Sequence, residues 1–470
     1  MKFMISNGTI IATSTPPGSG AICIIRISGP ESIRLTDLFF KSRSGIKLSK
    51  SKPLKLILGD FIVDYETIDE VLISVFKNPN SYTGEDVVEI SCHGSSYIKQ
   101  KIIKSYMDSG AELAQPGEFT LRAYLNKKLD LSQAEAVSDL ISSETKSEHS
   151  IAMNQIKGGF SNAIELIREK LIEFTSLIEL ELDFSEEDVK FANRKDLNKL
   201  VTDLKIKLNS LINSFKYGNV IKDGIPVTIA GRPNSGKSSL INALLNEDKA
   251  IVSDVPGTTR DVIEDTLIIN GLKFRFIDTA GLRKTNDKIE SLGIKKAKEK
   301  IKKAKVLLYL FDRNDITLKE IIKENNDLYH ENLLIILIEN KIDLIENYGT
   351  SKFYKNLGKE INKSSISNFI GLSTFNDNHI ENLKNLLIQN FEGLINNDDV
   401  IISNERHYNA LKKALKSLDD VIESLNNNIT GDLLSIDLKE SIYQIGLISG
   451  KIDIDQDILN SIFSKFCIGK

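Results

Sequence analysis

Nine residues, Gly231-Arg-Pro-Asn-Ser-Gly-Lys-Ser-Ser239, constrain this chain more than any other stretch. They match G-x-x-x-x-G-K-[ST] and directly follow an apolar run, Val227 to Ala230, that reads as a buried strand. A glycine-rich loop between a strand and a helix turns its backbone N–H groups inward at the positive end of the helix dipole, which makes a cradle for phosphate. Asn234, Ser235, Gly236, Lys237, Ser238 and Ser239 lie in that cradle; Lys237 suits β- and γ-phosphate oxygens, and Ser238 suits magnesium. The surroundings agree. From Val227 to about Leu387, apolar runs at Phe274 to Ile277, Val306 to Phe311 and Leu333 to Ile338 alternate with helical stretches, the pattern of a wound parallel sheet.

Three further segments fall at the ends of predicted strands or between them. Asp278-Thr279-Ala280-Gly281 puts a carboxylate where it holds magnesium through water and a glycine N–H beside the γ-phosphate. Ahead of it, Ser253-Asp254-Val255-Pro256-Gly257-Thr258-Thr259 reads as a loop whose threonines reach the metal and let go when the γ-phosphate leaves. Asn340-Lys341-Ile342-Asp343 ends the run Leu333 to Ile338, and the Asp343 carboxylate accepts from both N1–H and the 2-amino group of guanine. Adenine has no such donor pair, so the nucleotide is GTP. The loop around the base ring is expected at Ser373, Thr374 and Phe375, in place of the usual Ser-Ala pair.

Hydrolysis needs an oriented water. Ras-like proteins carry a glutamine after Asp-Thr-Ala-Gly, but this chain has Leu282 there, with no polar group. Glu290, in the same segment, is the candidate for positioning water through a second water, beside Lys237, Thr259 and Asp278 as catalytic candidates. Arg260 and Arg283 are nearby in sequence, yet order alone identifies no arginine finger. A monovalent cation is another source of positive charge, with Asn234, Ser253, Val255 and Thr258 offering oxygens, mostly carbonyls.

At 470 residues the chain exceeds one ordinary core and suggests about three domains. The first 115 or so residues are strand-rich, with Ala21 to Ile27, Leu54 to Val63, Val71 to Phe76 and Val87 to Cys92 bounded by turn formers. From Pro116 the period becomes helical, and Ser132 and Glu135 are spaced as a capping box before Ala136. Long amphipathic helices follow through Ile164 to Ile178 and Leu197 to Phe215, and the helical period returns at Leu411 to Leu425 and Ile442 to Ile448. The simplest architecture is an α/β domain inserted into a helical domain that the chain leaves and re-enters.

With 41% hydrophobic and 27% charged residues the composition is globular. No apolar run reaches the ~18 residues of a membrane span, and the first residues lack the build of a secretion signal, so the expected address is the cytoplasm. Cys23, Cys92 and Cys467 leave one cysteine over in any pairing, which argues against a disulfide framework. Cys467, beside Phe463, Phe466 and Ile468, reads as a small buried hydrophobe rather than a nucleophile, and Cys92-His93 as a strand-end turn rather than half a metal site. A net charge of -4 gives no broad attraction for nucleic acid. The lysines of 295–305 interleave with Ile294, Ala297, Ile301 and Ala304 at helical steps and read as the wet face of a helix.

The chain resembles the MnmE (TrmE) family of tRNA uridine-modification GTPases from end to end. The resemblance is carried by Thr15-Pro-Pro-Gly18, Arg26-Ile-Ser-Gly29, Pro79-Asn-Ser-Tyr-Thr-Gly-Glu-Asp86, Pro116-Gly-Glu-Phe119, Lys128-Leu-Asp-Leu-Ser-Gln-Ala-Glu135, the nucleotide motifs and Cys467-Ile-Gly-Lys470. It implies an α/β plus α fold: an N-terminal α/β folate-binding and dimerisation domain over 1–119, a discontinuous helical domain over 120–221 and 387–470, and an inserted Ras-like P-loop GTPase domain over 222–386. It also implies potassium on Asn234, Ser253, Val255 and Thr258, magnesium on Ser238 and Thr259, and Glu290 as the catalytic carboxylate. A 5-formyl- or 5,10-methylene-tetrahydrofolate is implied at Arg26, Glu89 and Lys128, with Lys470 reaching the same site. Where many relatives have arginine in the Thr-Pro-Pro-Gly turn, this chain has Ser19. The implied partners are a second copy of the chain, the FAD protein MnmG in a heterotetramer, and tRNA, whose wobble uridine gains an aminomethyl or carboxymethylaminomethyl group on carbon 5. The rival is a GTPase switch of the ribosome-assembly kind, which grips RNA without modifying it and would need a basic RNA-binding appendix.

Overall fold

The computed structural model describes residues 8–52, 55–183, 194–246, 265–277, 301–330, 333–345, 357, 366–391, 400–427, 429, 431–452, 459, 462–464 and 466–469. They divide into two units: Met1–Ser143, Ser150–Ile212 and Glu405–Lys470 form one, and Glu144–His149 with Asn213–Asn404 form the other.

In the first unit the period-two stretches become strands β1 (Ile10–Thr13), β2 (Gly20–Ser28), β3 (Phe40–Ser42), β4 (Leu56–Val63), β5 (Glu66–Phe76), β6 (Val87–Gly94) and β7 (Glu112–Leu113). Among the described residues they form a sheet in the order β3-β4-β5-β6-β2-β1-β7. Alternation sets the register. Along β5, Val71, Ile73 and Val75 are buried while Glu70 and Leu72 face out, and the buried set packs with Ile25, Ile27, Phe61, Val88 and Ile90. Two helices that the strand-rich reading does not locate, α1 (Ser32–Phe39) and α2 (Ser96–Asp108), cover this core through Leu35, Ile102 and Tyr106.

The chain then turns helical: α3 (Glu118–Leu125), α4 (Leu131–Ser142), α5 (Lys146–Ile156), α6 (Gly159–Asp183) and α7 (Arg194–Asp223). Helix α4 starts earlier than the expected box. Asp130 is the N-cap and exchanges hydrogen bonds with Gln133, because an aspartate and a glutamine three apart satisfy the first orphan N–H groups two residues before Ser132 and Glu135 could. Glu135 is instead buried inside the helix and faces Arg406 and His407.

The second unit carries β8 (Ile225–Gly231), α8 (Lys237–Asn246), β9 (Asp265–Ile269), β10 (Leu272–Phe276), β11 (Val306–Phe311), α9 (Leu318–Leu328), β12 (Leu334–Glu339), β13 (Asn368–Gly371) and α10 (Asp377–Gln389). Its sheet runs β13-β12-β11-β8-β10-β9, parallel except for the hairpin β9–β10. That hairpin turns on Asn270-Gly271, both at positive φ, the two-residue turn that matches strand twist. Strand β11 is buried at every position, as an interior parallel strand must be.

Beyond Asn404 the chain rejoins the first unit as α11 (Glu405–Asn426) and α12 (Gly431–Ser449), which pack on each other, with α12 also against α6. The described part of the lysine-rich run behaves as a wet face, with Ile301 and Ala304 buried and Lys302, Lys303 and Lys305 exposed. Among the described residues no helix is long and apolar enough to cross a membrane.

Candidate functional site

Strand β8 has β11 on one side and β10 on the other, so the chain crosses over in opposite directions from it. The loop leaving its carboxyl end sits at that switch point, where wound sheets bind ligands. Two glycines let the loop close. At Gly231 (φ 147°) a Cβ would lie 2.1 Å from the Leu310 carbonyl oxygen, and at Gly236 (φ 95°) one would lie 2.0 Å from Asn340 Nδ2. Asn234 adopts φ 61° and is exposed at the loop tip. Helix α8 starts at Lys237, so its first N–H groups point into the loop.

The half-buried Lys237 Nζ donates to the carbonyls of Gly231 (2.9 Å) and Arg232 (2.8 Å). Burial pushes its pKa below the ordinary lysine value, and an anion in the loop would favour the charged form. Ser235 is buried, and its Oγ has no hydrogen-bond partner among the described residues, a group suited to a ligand oxygen. Arg232 anchors the loop from outside. It donates to Glu324 (2.7 Å) and Glu320 (3.0 Å) on α9 and to the Asp315 carbonyl (3.0 Å).

The strand ends beside this loop carry the segments expected to read the base. Asn340 is buried; its Nδ2 donates to the Ser235 carbonyl at 2.9 Å, and its Oδ1 accepts from the Lys341 N–H at 2.8 Å. The asparagine therefore ties the end of β12 to the glycine-rich loop. Lys341, at φ 61°, reaches Asp312 at 3.0 Å. Burial opposes ionisation of Asp312, but N–H groups around Asn314 and the Lys341 ammonium outweigh it and lower its pKa. Asp343 sits exposed in the single turn Ile342–Leu344. The Ile342 N–H donates to the Leu372 carbonyl at 3.3 Å, which brings that turn against the loop of Ser373, Thr374 and Phe375.

Across that contact the Leu372 N–H also donates to the Glu339 carbonyl at 2.8 Å, so both segments hang from the end of β12. The Ser373 N–H donates to His379 Nδ1 at 3.1 Å, and Phe375 presents its ring at 90% exposure.

The structure thus brings Asn234 to Ser239, Asn340 to Asp343 and Ser373 to Phe375 around one strand-end rim. Ser253, Asp254, Val255, Pro256, Gly257, Thr258, Thr259, Asp278, Thr279, Ala280, Gly281 and Glu290 lie outside the described residues, as does Lys470. Of the metal candidates, Ser238 and Asn234 are described, and both belong to the phosphate loop or the first turn of α8.

A second cluster lies in the first unit. Arg26 on β2 and Glu89 on β6 are directly opposite, and the guanidinium meets the carboxylate at 2.8 and 2.9 Å. Arg26 also lies 5.4 Å from the Tyr82 ring and 5.6 Å from that of Phe119, which hold it by cation–π attraction. The turn that carries Tyr82 also meets Lys128, whose Nζ donates to the Pro79 carbonyl at 3.0 Å. The end of the chain returns here. Ser14 Oγ donates to the Gly469 carbonyl (3.2 Å), and Gly469 packs on Thr13, next to the Ala12 that pairs with Arg26. Cys467 is exposed, contrary to the buried hydrophobe expected, because Phe463 and Phe466 turn inward and leave the thiol outside. Cys92 is buried in β6 opposite Cys23, and burial pushes its thiol up to about 12, while His93 is held by Asp69 at 2.7 Å.

Comparison with known proteins adds the family. Residues 9–128 match the family model "GTP-binding protein TrmE N-terminus", and residues 131–467 match "MnmE helical domain". The chain is 49% identical over 475 residues to the tRNA modification GTPase MnmE of Flavobacterium johnsoniae, covering 99% of this chain and 100% of that protein. It is 48% identical to the protein of the same name from Christiangramia forsetii and 47% to that from Bacteroides thetaiotaomicron, again over 99% of this chain. The chain belongs to the MnmE family.

Within this MnmE-family fold, several residues at the two clusters carry no signal that singles them out in the sequence. Arg122 donates to Glu118 (2.9 Å), Glu85 (3.1 Å) and the Gly8 carbonyl (2.8 Å), locking α3 to the turn that carries Tyr82. The i,i+4 spacing of Glu118 and Arg122 is a local hint for the first of these pairs alone. Glu85 and Gly8 are distant in sequence, and only the fold brings them in. The same holds for Arg232 with Glu320 and Glu324, and for the tie from Asn340 to Ser235.

Proposed function

We propose that this chain is a potassium-activated GTPase that acts in tRNA modification, working with an MnmG-type FAD protein on carbon 5 of the wobble uridine. The observation that carries this reading is the glycine-rich loop at the β8 switch point, tied through Asn340 to the strand end that bears Asp343, in a chain whose family match runs end to end. In the nucleotide cycle Lys237 leaves the loop carbonyls for phosphate, and Asp343 reads the base. Ser238 and Thr259 would hold magnesium, with Asp278 reaching it through water; Asn234, Ser253, Val255 and Thr258 would hold potassium; and Glu290 would position the attacking water through a second water. Magnesium and potassium supply positive charge where the β–γ bridge gathers negative charge.

Arg26, Glu89, Lys128 and Lys470 are proposed to bind the tetrahydrofolate that donates the carbon. A carboxylate can accept from the amino and N–H edge of a pterin, and cations suit the glutamate tail. The outer row Leu56, Ser74, Glu89 and Arg26 borders a second row, Leu58, Leu72, Ser91 and Ile24. Leu56 and Leu72 are 70% and 40% exposed, and burying such a face against a second copy supports a homodimer. The domain division 1–119, 120–221 with 387–470, and 222–386 is part of the same reading.

Nucleoside analysis of tRNA from cells lacking this chain tests the function, with loss of the modified wobble uridine expected. An unchanged wobble position would remove the modification role and favour the ribosome-assembly alternative. GTP turnover measured in potassium and in sodium tests the cation separately: equal rates would remove potassium.

A further inference from the structure

Residues 41–55 contain six cations, Lys41, Arg43, Lys47, Lys50, Lys52 and Lys55, and no acid, in a chain whose net charge is -4. Two of the six have opposite charges nearby: Arg43 pairs with Glu70, and Lys41 stands across from Asp60. The other four are exposed and have no acidic partner among the described residues. Two carboxylates beside these segments are turned to backbone. Asp37 accepts from the N–H groups of Leu48 (2.7 Å) and Ser49 (3.3 Å), and Asp86 accepts from the Asn78 N–H (2.9 Å).

The fold carries this charge toward the Arg26–Glu89 cluster. Lys55 precedes β4, and Lys77 follows β5, at the same end of their ladder. Lys77 Nζ donates to the Ser49 carbonyl at 3.4 Å, joining the turn of Lys50 to the segment that begins at Lys77. Two residues on, the Pro79 carbonyl accepts from Lys128. A strip of ammonium groups therefore ends at the proposed one-carbon site.

We propose that Lys47, Lys50, Lys52, Lys55 and Lys77 form a docking strip for the phosphates of a tRNA stem, which directs the target uridine toward Arg26 and Glu89. This rests on the tRNA-modification reading above and adds the surface that grips the substrate. Phosphate contacts fix register and orientation without reading sequence, which suits an enzyme that accepts several tRNAs. The bland alternative is that lysines beside the edge strand β3 only block edge-to-edge pairing.

The test uses the full chain and the variant Lys47→Gln/Lys50→Gln/Lys52→Gln/Lys55→Gln, none of which belongs to the nucleotide or folate machinery. Affinity for unmodified tRNA is measured from ~50 to ~200 mM salt, with GTP turnover as the check on folding. Each phosphate contact contributes roughly 0.7 to 0.9 to the slope of log affinity against log salt, so the variant's slope is expected to be shallower by about 2 to 4, with affinity at least ~10-fold weaker at low salt. An unchanged slope with turnover intact, or no tRNA binding by the parent chain, overturns the strip. Added aggregation of the variant at unchanged slope assigns the lysines to edge protection. Wobble-nucleoside content separates this from failure of the parent reading: if the wild-type chain restores the modification to deficient cells and the variant restores it equally well, the strip falls and the modification role stands.

Discussion

Asn340→Ala tests whether the segment proposed to read guanine also shapes the phosphate loop. In the native chain the Asn340 amide donates to the buried Ser235 carbonyl at 2.9 Å and sits where a Cβ on Gly236 would fall, 2.0 Å away. Removing it leaves a buried acceptor unsatisfied, which costs ~1–3 kcal/mol, and the loop must then be ordered at the expense of nucleotide binding. That corresponds to a loss of ~5- to 150-fold in affinity for both GDP and GTP. Gly236→Ala attacks the same contact from the other side and adds ~1–2 kcal/mol for a side chain at φ 95°. Because the two changes share one contact, the double variant is expected to lose less than the sum of the singles. Titration with a fluorescent GDP in magnesium, with circular dichroism to check the fold, measures all three. Asn340→Ala binding within about twofold of the parent, at unchanged helix content, would refute the tie as a determinant of the loop.

Asp343→Asn is expected to exchange guanine for xanthine preference, since an amide offers one donor and one acceptor where the carboxylate offers two acceptors; competition by XTP against GTP measures it, and unchanged preference removes Asp343 as the base reader. Glu89→Gln, by weakening a charge-assisted pair on Arg26 and the acceptor proposed for the pterin, should reduce 5-formyl-tetrahydrofolate binding ~10- to 100-fold by calorimetry, and equal binding would take Glu89 out of that site. Acid should loosen the helical region first. Burial opposes the Glu135 charge, but His407 and Arg406 outweigh it and hold the carboxyl at about 2, below its ordinary 4.5. Its contribution, ~3 kcal/mol at ~1.4 kcal/mol per pKa unit, is therefore present above pH 4.5 and is lost as pH falls toward 2. Burial lowers the His407 pKa from 6.5, so the unfolded chain takes up that proton first and stability already declines below pH 6.5. Denaturation followed by circular dichroism across this range should show a steeper acid loss for the parent than for Glu135→Gln, and identical pH dependence would count against the cluster.

Much of this architecture is legible in local sequence because its causes are local. The phosphate loop is a covalent run whose glycines must accept positive φ and whose helix starts at the next residue, so Gly231, Gly236 and Lys237 announce their roles by spacing. The same is true of first-unit strands such as β5, where burial alternates with period two, and of the long helices with their apolar stripes. The capping box at Ser132 and Glu135 does not form, for a physical reason: Asp130 and Gln133 satisfy the helix start earlier, and Glu135 is drawn into an ion pair with Arg406, 271 residues away. Cys467 departs from expectation because its apolar neighbours in sequence bury themselves without covering it.

The order of residues alone specifies which groups are candidates to meet a triphosphate and a guanine base, since hydrogen-bonding chemistry and short-range backbone geometry travel with the residues. It took the folded chain to show that Asn340 braces the phosphate loop, that Glu89 faces Arg26, and that the chain end returns to Thr13. Such contacts join residues tens to hundreds of positions apart, and they form when burial of distant apolar faces brings the strand ends together, a condition no local spacing encodes.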